Sequence, residues 1–269
     1  MIIPYTKAHG ARNDFLLTWA MDAPDADLPE IAAAICDRHT GVGADGWMLV
    51  SGGGPEDSHG TIRLLNSDGS EAEISGNGTR CAAAFLVEAG LAREEVRIAT
   101  GAGVKHLRLL EQKGQQFEFF MNMGRPAVQA DELRYELRLR GGVRDVTILN
   151  VGNPQCAVFV EDLELDWRSL GAEIERHERF PKRTNVSFIA PVDEHTIDVR
   201  FWERGAGETM SSGTGSTGAA AAAMLRGMAK SPVTVRTPAG PLVITWEGEE
   251  IHMRGPAEIV ARGEFYREG

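Results

Sequence analysis

Apolar positions along the chain come in short runs of strand length, separated by Gly, Asn, Asp, Ser and Pro, and twice this pattern gives way to a long apolar stretch with almost no polar face. Residues 2–6, 14–19, 47–51 and 61–65 read as strands, with His9-Gly10-Ala11-Arg12-Asn13 as a polar turn between the first two. Ile31 and Ile35 recur at helical spacing through Ala32, Ala33 and Ala34, and Pro29 suits a first helical turn, so a helix is predicted from there to about His39. A second helix follows Ser75-Gly76-Asn77-Gly78 and runs to Ala89, where Gly90 supplies the cap. Strands at 96–100, 106–111 and 117–122 close this half. The same order then returns. Strands at 147–151 and 157–160 flank Gly152-Asn153-Pro154-Gln155, and a helix capped by Asp166 runs from Trp167 to near His177. Strands at 186–189 and 196–202, an Ala-rich helix ended by Gly227, and strands at 233–237 and 242–246 follow. Met123-Gly124-Arg125-Pro126-Ala127 and Arg254-Gly255-Pro256-Ala257 read as matching closing turns.

The repetition holds to the residue. At an offset of 137 residues Ser75-Gly76-Asn77-Gly78 meets Ser212-Gly213-Thr214-Gly215, and Ala82-Ala83-Ala84 meets Ala219-Ala220-Ala221. Arg63 meets Arg200, Glu71 meets Glu208, Thr100 meets Thr237, and Gly103 meets Gly240 at the same offset. This is an internal duplication. It predicts an α+β chain of two pseudo-symmetric halves, each a mixed β-sheet or barrel wrapped around a central α-helix, because a helix apolar nearly all round must be buried. The expected division is 1–115 for the N-terminal half, with a C-terminal strand at 258–269 returning to it, and 116–257 for the C-terminal half.

Composition removes several classes of function. A formal charge of −11 without a Lys/Arg cluster argues against nucleic acid and against an anionic membrane surface. No apolar run approaches the roughly 20 residues that span a bilayer, and Met1-Ile2-Ile3-Pro4-Tyr5-Thr6-Lys7 has no signal-peptide layout, so a cytoplasmic protein is expected. Cys36, Cys81 and Cys156 form an odd set without CxxC spacing, which predicts buried thiols rather than disulfides or structural zinc. The seven histidines show no paired ligand spacing, and no metal is expected.

The duplicated Ser-Gly-x-Gly cassettes are the candidate chemistry. A helix start leaves backbone N–H groups unpaired and carries partial positive charge, so two such starts turned toward one ligand would hold a carboxylate. A single copy would be read as glycines permitting a tight turn; two matched copies point to a ligand. Gly213-Thr214-Gly215-Ser216-Thr217-Gly218 also fits GxGxxG, but it follows a loop rather than a strand, and no acid lies between Glu208 and Glu247 to hold a ribose.

Asn13-Asp14-Phe15, Cys36-Asp37-Arg38-His39, Asn66-Ser67-Asp68-Gly69-Ser70-Glu71, Gly76-Asn77-Gly78-Thr79-Arg80-Cys81, Gly152-Asn153-Pro154, Asn185-Val186 and Glu203-Arg204-Gly205-Ala206-Gly207-Glu208-Thr209 occur in an order that resembles the diaminopimelate epimerase family over essentially the whole chain. The resemblance implies a cofactor-free isomerase of lysine and cell-wall precursor biosynthesis, often a homodimer, that interconverts LL- and meso-diaminopimelate by two-base α-proton transfer. It implies that Asn13, Asn66, Asn153, Asn185, Glu203 and Arg204 hold the end of the amino-acid substrate that does not react. Gly76, Asn77, Gly213 and Thr214 would present donors to the reacting carboxylate.

The chain departs from the family where the chemistry happens. Both catalytic cysteine positions are serine, Ser75 and Ser212, and Gln155 stands where the family usually has His. A thiol ionises near pH 8.5, whereas a serine hydroxyl is far more basic and needs an activating neighbour. Three readings stay open: an epimerase with Ser75 and Ser212 as its proton-transfer groups, a non-isomerising relative (a lyase or an amino-acid-binding protein), and an inactive Cys-to-Ser form. The expected pocket lies between the halves, with the two hydroxyls on opposite sides of one α-carbon.

Overall fold

The computed structural model describes residues 1–267, so the last two residues of the expected 258–269 strand lie outside the described residues. The chain divides into two compact units, residues 1–121 with 255–269, and residues 122–254.

In the first unit β1 (Ile2–Gly10) and β2 (Asn13–Trp19) form a hairpin, closed by the pair Gly10–Asn13. Ala11 and Arg12 take its two turn positions with φ of 50° and 60°. The helix α1 (Leu28–Cys36) leads to β3 (Gly46–Gly52), which runs parallel to β2 and antiparallel to β4 (Gly60–Asn66). After the short β5 (Glu71–Ala72) comes α2 (Gly76–Glu88), and β6 (Glu95–Thr100) then returns parallel to β4. The antiparallel strands β7 (Gly103–Lys113) and β8 (Gln116–Gly124) complete the run.

The second unit repeats this course. It comprises β9 (Tyr135–Leu139), β10 (Gly142–Asn150), β11 (Pro154–Phe159), α3 (Trp167–Glu175), β12 (Asn185–Asp193), β13 (Thr196–Glu203), β14 (Gly207–Thr209), α4 (Gly213–Leu225), β15 (Val233–Thr237) and β16 (Gly240–Glu247). Its parallel pairs are β11–β12 and β13–β15, the counterparts of β2–β3 and β4–β6. The last strand, β17 (Glu250–Tyr266), pairs antiparallel with β16 through its first residues and with β1 through its later ones. Because β17 also pairs with β8, the ladder of the first unit closes on itself as β1-β2-β3-β4-β6-β7-β8-β17. Closure of this kind removes exposed sheet edges.

Each unit wraps its strands around its cassette helix. Gly76 through Leu86 of α2 and Gly213 through Ala223 of α4 are buried, and α4 packs against β10, β11, β12, β13, β15 and β16. Small Ala side chains let strands approach from every direction, which a helix with one polar face could not permit. The outer helices α1 and α3 are amphipathic and cover separate cores, around Ile35, Trp47 and Leu65 in the first unit and around Trp167, Ile174 and Phe188 in the second.

Local signals placed most elements, and the departures have physical causes. Helix α1 stops at Cys36 rather than near His39 because the Asp37 carboxylate accepts the N–H groups of His39 and Thr40. Helix α3 stops at Glu175 rather than His177, whose N–H turns back to Ile174 O. The Asp166 cap is present, accepting from Ser169 N–H. Strands β5 and β14, two and three residues long, were too short to be read, and β9 was missed although Tyr135, Leu137 and Leu139 alternate with Glu136 and Arg138. The stretch Arg254–Ala257 is not a turn but the middle of β17: Arg254 is the last residue paired to β16 and Glu258 follows as partner of His9 on β1. Pro256 sits at that change of partner, between the last residue paired to β16 and the first paired to β1.

Candidate functional site

The two helix starts are built alike. Ser75 has φ −129° and ψ 122°, Ser212 has φ −140° and ψ 122°, and each is an extended N-cap residue. Each hydroxyl oxygen accepts the N–H three residues on, Gly78 or Gly215, at 3.1 Å. Helix geometry leaves the N–H groups of Gly76, Asn77, Gly213 and Thr214 without an intrahelical acceptor, so both starts retain donors for an anion. Glycine at the third helical position is needed for packing. A Cβ on Gly78 would lie 2.1 Å from the Met48 methyl, and one on Gly215 2.8 Å from the Phe201 ring. The far ends match as well: Gly90 and Gly227 have φ of 74° and 70°, and each donates to the carbonyl three residues back.

Around the first start the side chains form a charged chain of hydrogen bonds. Arg80, with no exposed surface, donates to Asn77 Oδ1 (2.7 Å), Gly76 O (3.3 Å) and Pro256 O (3.0 Å). Burial pulls its guanidinium down to about 10, still charged at neutral pH. Asn77 donates to Asn13 Oδ1 (3.2 Å), and Asn13 donates to Asp45 Oδ2 (2.6 Å). Arg38 bridges Asp45 and Asp14, and Lys7 adds a second cation beside Asp14 at 3.1 Å. Burial alone would raise the Asp14 carboxyl; its bonds to Arg38 and Lys7 hold it below the usual carboxylate range. Asn66 is bonded apart from this chain, to Ser70 Oγ at 3.0 Å, although β-register puts it beside Gly46, next to Asp45.

The side chains hydrogen-bonded in a chain to the second start are neutral. Gln155 donates to Asn153 Oδ1 (2.6 Å), and Asn153 donates to Thr214 Oγ1 (3.2 Å), so Asn153 reaches the helix at the position where Asn13 does in the first unit. Asn185 ties two strands together, donating to Pro154 O (3.0 Å) and accepting the Arg204 N–H (3.0 Å). Glu203 accepts from Thr209 Oγ1 at 2.7 Å. Gln155 is 1% exposed and packs over Gly218, where a Cβ would stand 3.0 Å from Gln155 Cγ. The counterpart of Gly218 in the first unit is Cys81, so the second unit has exchanged helix volume for the glutamine side chain.

Asn13 and Asn77 thus meet in one unit, and Asn153, Gln155, Asn185, Arg204 and Thr214 meet in the other. Sequence reasoning did not single out Arg80, Asp45 or Glu175, although an arginine inside a run of Ala, Cys and Phe was a visible signal. Cys36, Cys81 and Cys156 are free and buried, and burial pushes each thiol up to about 12, so none is a nucleophile at neutral pH. Among the described residues, no cluster of His, Cys, Asp and Glu is arranged to hold a metal ion, and no helix is long and apolar enough to cross a membrane.

Comparison with solved structures shows the fold. A hydroxyproline epimerase from Agrobacterium vitis superposes with a TM-score of 0.74 at 16% identity, covering 98% of this chain and 92% of that one. A PhzF-family phenazine biosynthesis protein from Bacillus anthracis gives 0.71 at 17% identity, covering 98% and 99%. Sequence comparison is more specific. A diaminopimelate epimerase from Pelotomaculum thermopropionicum is 41% identical, covering 97% of this chain and 98% of its own length. Another from Moorella thermoacetica is 39% identical over the same shares of the two chains. The sequence model of the diaminopimelate epimerase family matches residues 5–128 and 147–260. The chain therefore belongs to the diaminopimelate epimerase family, a family of isomerases.

Proposed function

We propose that the protein is a cofactor-independent amino-acid epimerase that interconverts LL- and meso-diaminopimelate, with Ser75 and Ser212 in the two proton-transfer positions. The observation that carries this reading is the pair of matched serine-capped helix starts, one per unit, each with free N–H donors in its first turn. Removing an α-proton moves negative charge onto the adjacent carboxylate, and preorganised N–H groups stabilise that charge as it develops. Inversion requires a base on one face of the carbon and an acid on the other, and the proposal gives one hydroxyl to each role. Asn13, Asn66, Asn153, Asn185, Glu203 and Arg204 then hold the distal amino and carboxylate groups, with Gln155 as a neutral polar partner that cannot take a proton.

The serine hydroxyls make proton removal the difficult step. The bond each oxygen accepts comes from a cap N–H and not from a base that could take the hydroxyl proton. That observation supports a second reading, a relative that binds the amino acid without inverting it. Incubation with meso- and LL-diaminopimelate in D₂O separates the two. The epimerase incorporates α-deuterium and interconverts the isomers; binding by calorimetry without deuterium incorporation favours the second reading. Arg204→Met is expected to weaken diaminopimelate binding at least about tenfold through loss of a charged hydrogen bond, and unchanged affinity would remove Arg204 from the site. On the same reading the protein works in the cytoplasm as a homodimer, which light scattering of the purified protein tests.

A further inference from the structure

Helix α3 covers the core of the second unit, yet one of its faces is spent on the turn that follows β13. Arg168, Gly171 and Glu175, at spacings of three and four, lie along one side. Arg168 forms a two-point pair with Glu208 of β14, at 2.6 Å and 2.8 Å. Gly171 admits Trp202 of β13, since a Cβ there would stand 2.7 Å from Trp202 Cβ. Glu175, only 3% exposed, accepts the Gly205 N–H at 3.0 Å and is held by Arg183 at 3.2 Å on the same oxygen. The turn needs such support. Gly205 and Gly207 both have positive φ, 80° and 78°, Arg204 through Ala206 are exposed, and a further bond runs from the Arg204 N–H to Asn185 of β12.

We propose that Glu175 is a positioning residue for the Glu203–Gly207 turn: by fixing Gly205 it sets the direction of Arg204, and α3 clamps the hairpin at both ends through Glu175 and Arg168. This rests on the reading that Arg204 binds substrate. A buried carboxylate is expensive to hold unless it is fully bonded, and here Oε1 bonds the turn through the Gly205 N–H as well as Arg183, while Oε2 takes Arg176. Burial alone would raise its pKa; the Gly205 N–H and Arg183 keep it below the usual carboxylate range and so ionised.

The test combines hydrogen exchange with a double-mutant cycle. In the full-length protein, exchange of the segment 203–209 is compared among wild type, Glu175→Ala and Glu175→Gln. Faster exchange confined to that segment in Glu175→Ala, partly restored in Glu175→Gln because the amide oxygen still accepts the Gly205 N–H, is the expected result. Unchanged exchange in Glu175→Ala overturns the proposal. Calorimetry with meso-diaminopimelate supplies the second arm. Glu175→Ala should weaken binding roughly tenfold, while adding it to Arg204→Met should cost less than about twofold more. Losses that multiply would mean that Glu175 does not act through Arg204. If wild type fails to bind diaminopimelate, the functional reading fails, and the exchange arm still decides whether Glu175 holds the turn. Arg168→Met provides the milder variant should Glu175→Ala not fold, with faster exchange expected at Glu208, the end it holds, than at Gly205, which Glu175 still holds, and unchanged exchange at both overturning the clamp.

Discussion

The two helix starts share a main chain and differ in what lies around it. Ser75 and Ser212 have closely matching backbone angles and the same cap distance, yet the first start rests on a buried guanidinium and the second on an amide and hydroxyls. Arg80 corresponds to Thr217, whose hydroxyl merely bonds back to Gly213 O at 2.8 Å. Backbone capping is therefore the part of the duplication that packing has kept, because a helix start buried among strands must satisfy its N–H groups in one of few ways. The electrostatics were free to diverge. The first start presents a full positive charge behind its donors; the second has the neutral Thr217 at the matching position.

The largest expected effect is on stability. Arg80→Leu removes the guanidinium donor from Pro256 O and Asn77 Oδ1, while Gly76 O keeps its helical N–H, and denaturant unfolding should show a loss of about 3–5 kcal/mol. Thr217→Val at the matched position should cost under about 1 kcal/mol. Comparable losses would mean that the first start does not depend on its arginine.

Proton transfer comes next. Ser75→Cys with Ser212→Cys should raise epimerisation at least about tenfold, since a thiol ionises far more readily than a hydroxyl, and each single change should help less. Alkylation sharpens the comparison. The parent protein, whose thiols are all buried, should resist iodoacetamide, whereas a thiol introduced at position 75 should react at lower pH than one introduced at position 212, owing to Arg80. Superimposable pH profiles would remove the proposed charge difference. A double variant that binds diaminopimelate without exchange or epimerisation would favour a binding protein.

The smallest effect concerns the caps themselves. Ser75→Ala and Ser212→Ala should each destabilise by about 1 kcal/mol, and by nearly equal amounts, because the cap bonds are alike. A loss confined to one of them would show that equal geometry conceals unequal strain.

Much of this was written locally. Asp166, Ser75 and Ser212 as caps, Gly90 and Gly227 as helix stops, and the alternating strands depend on residues within a few positions of one another, and the offset of 137 residues disclosed the duplication without any coordinates. The fold class followed, because an Ala-rich helix with no polar face can only sit inside a sheet. What the sequence could not determine were contacts between residues far apart. Arg80 reaches Pro256 across the chain, the Gly-Pro stretch around residue 256 lies within a strand because two different partners meet there, and Glu175 finds Gly205 only once α3 has docked on β13. Capping and periodicity are short-range and survive as patterns. The partners of a buried charge are chosen by packing, and packing exists only in three dimensions.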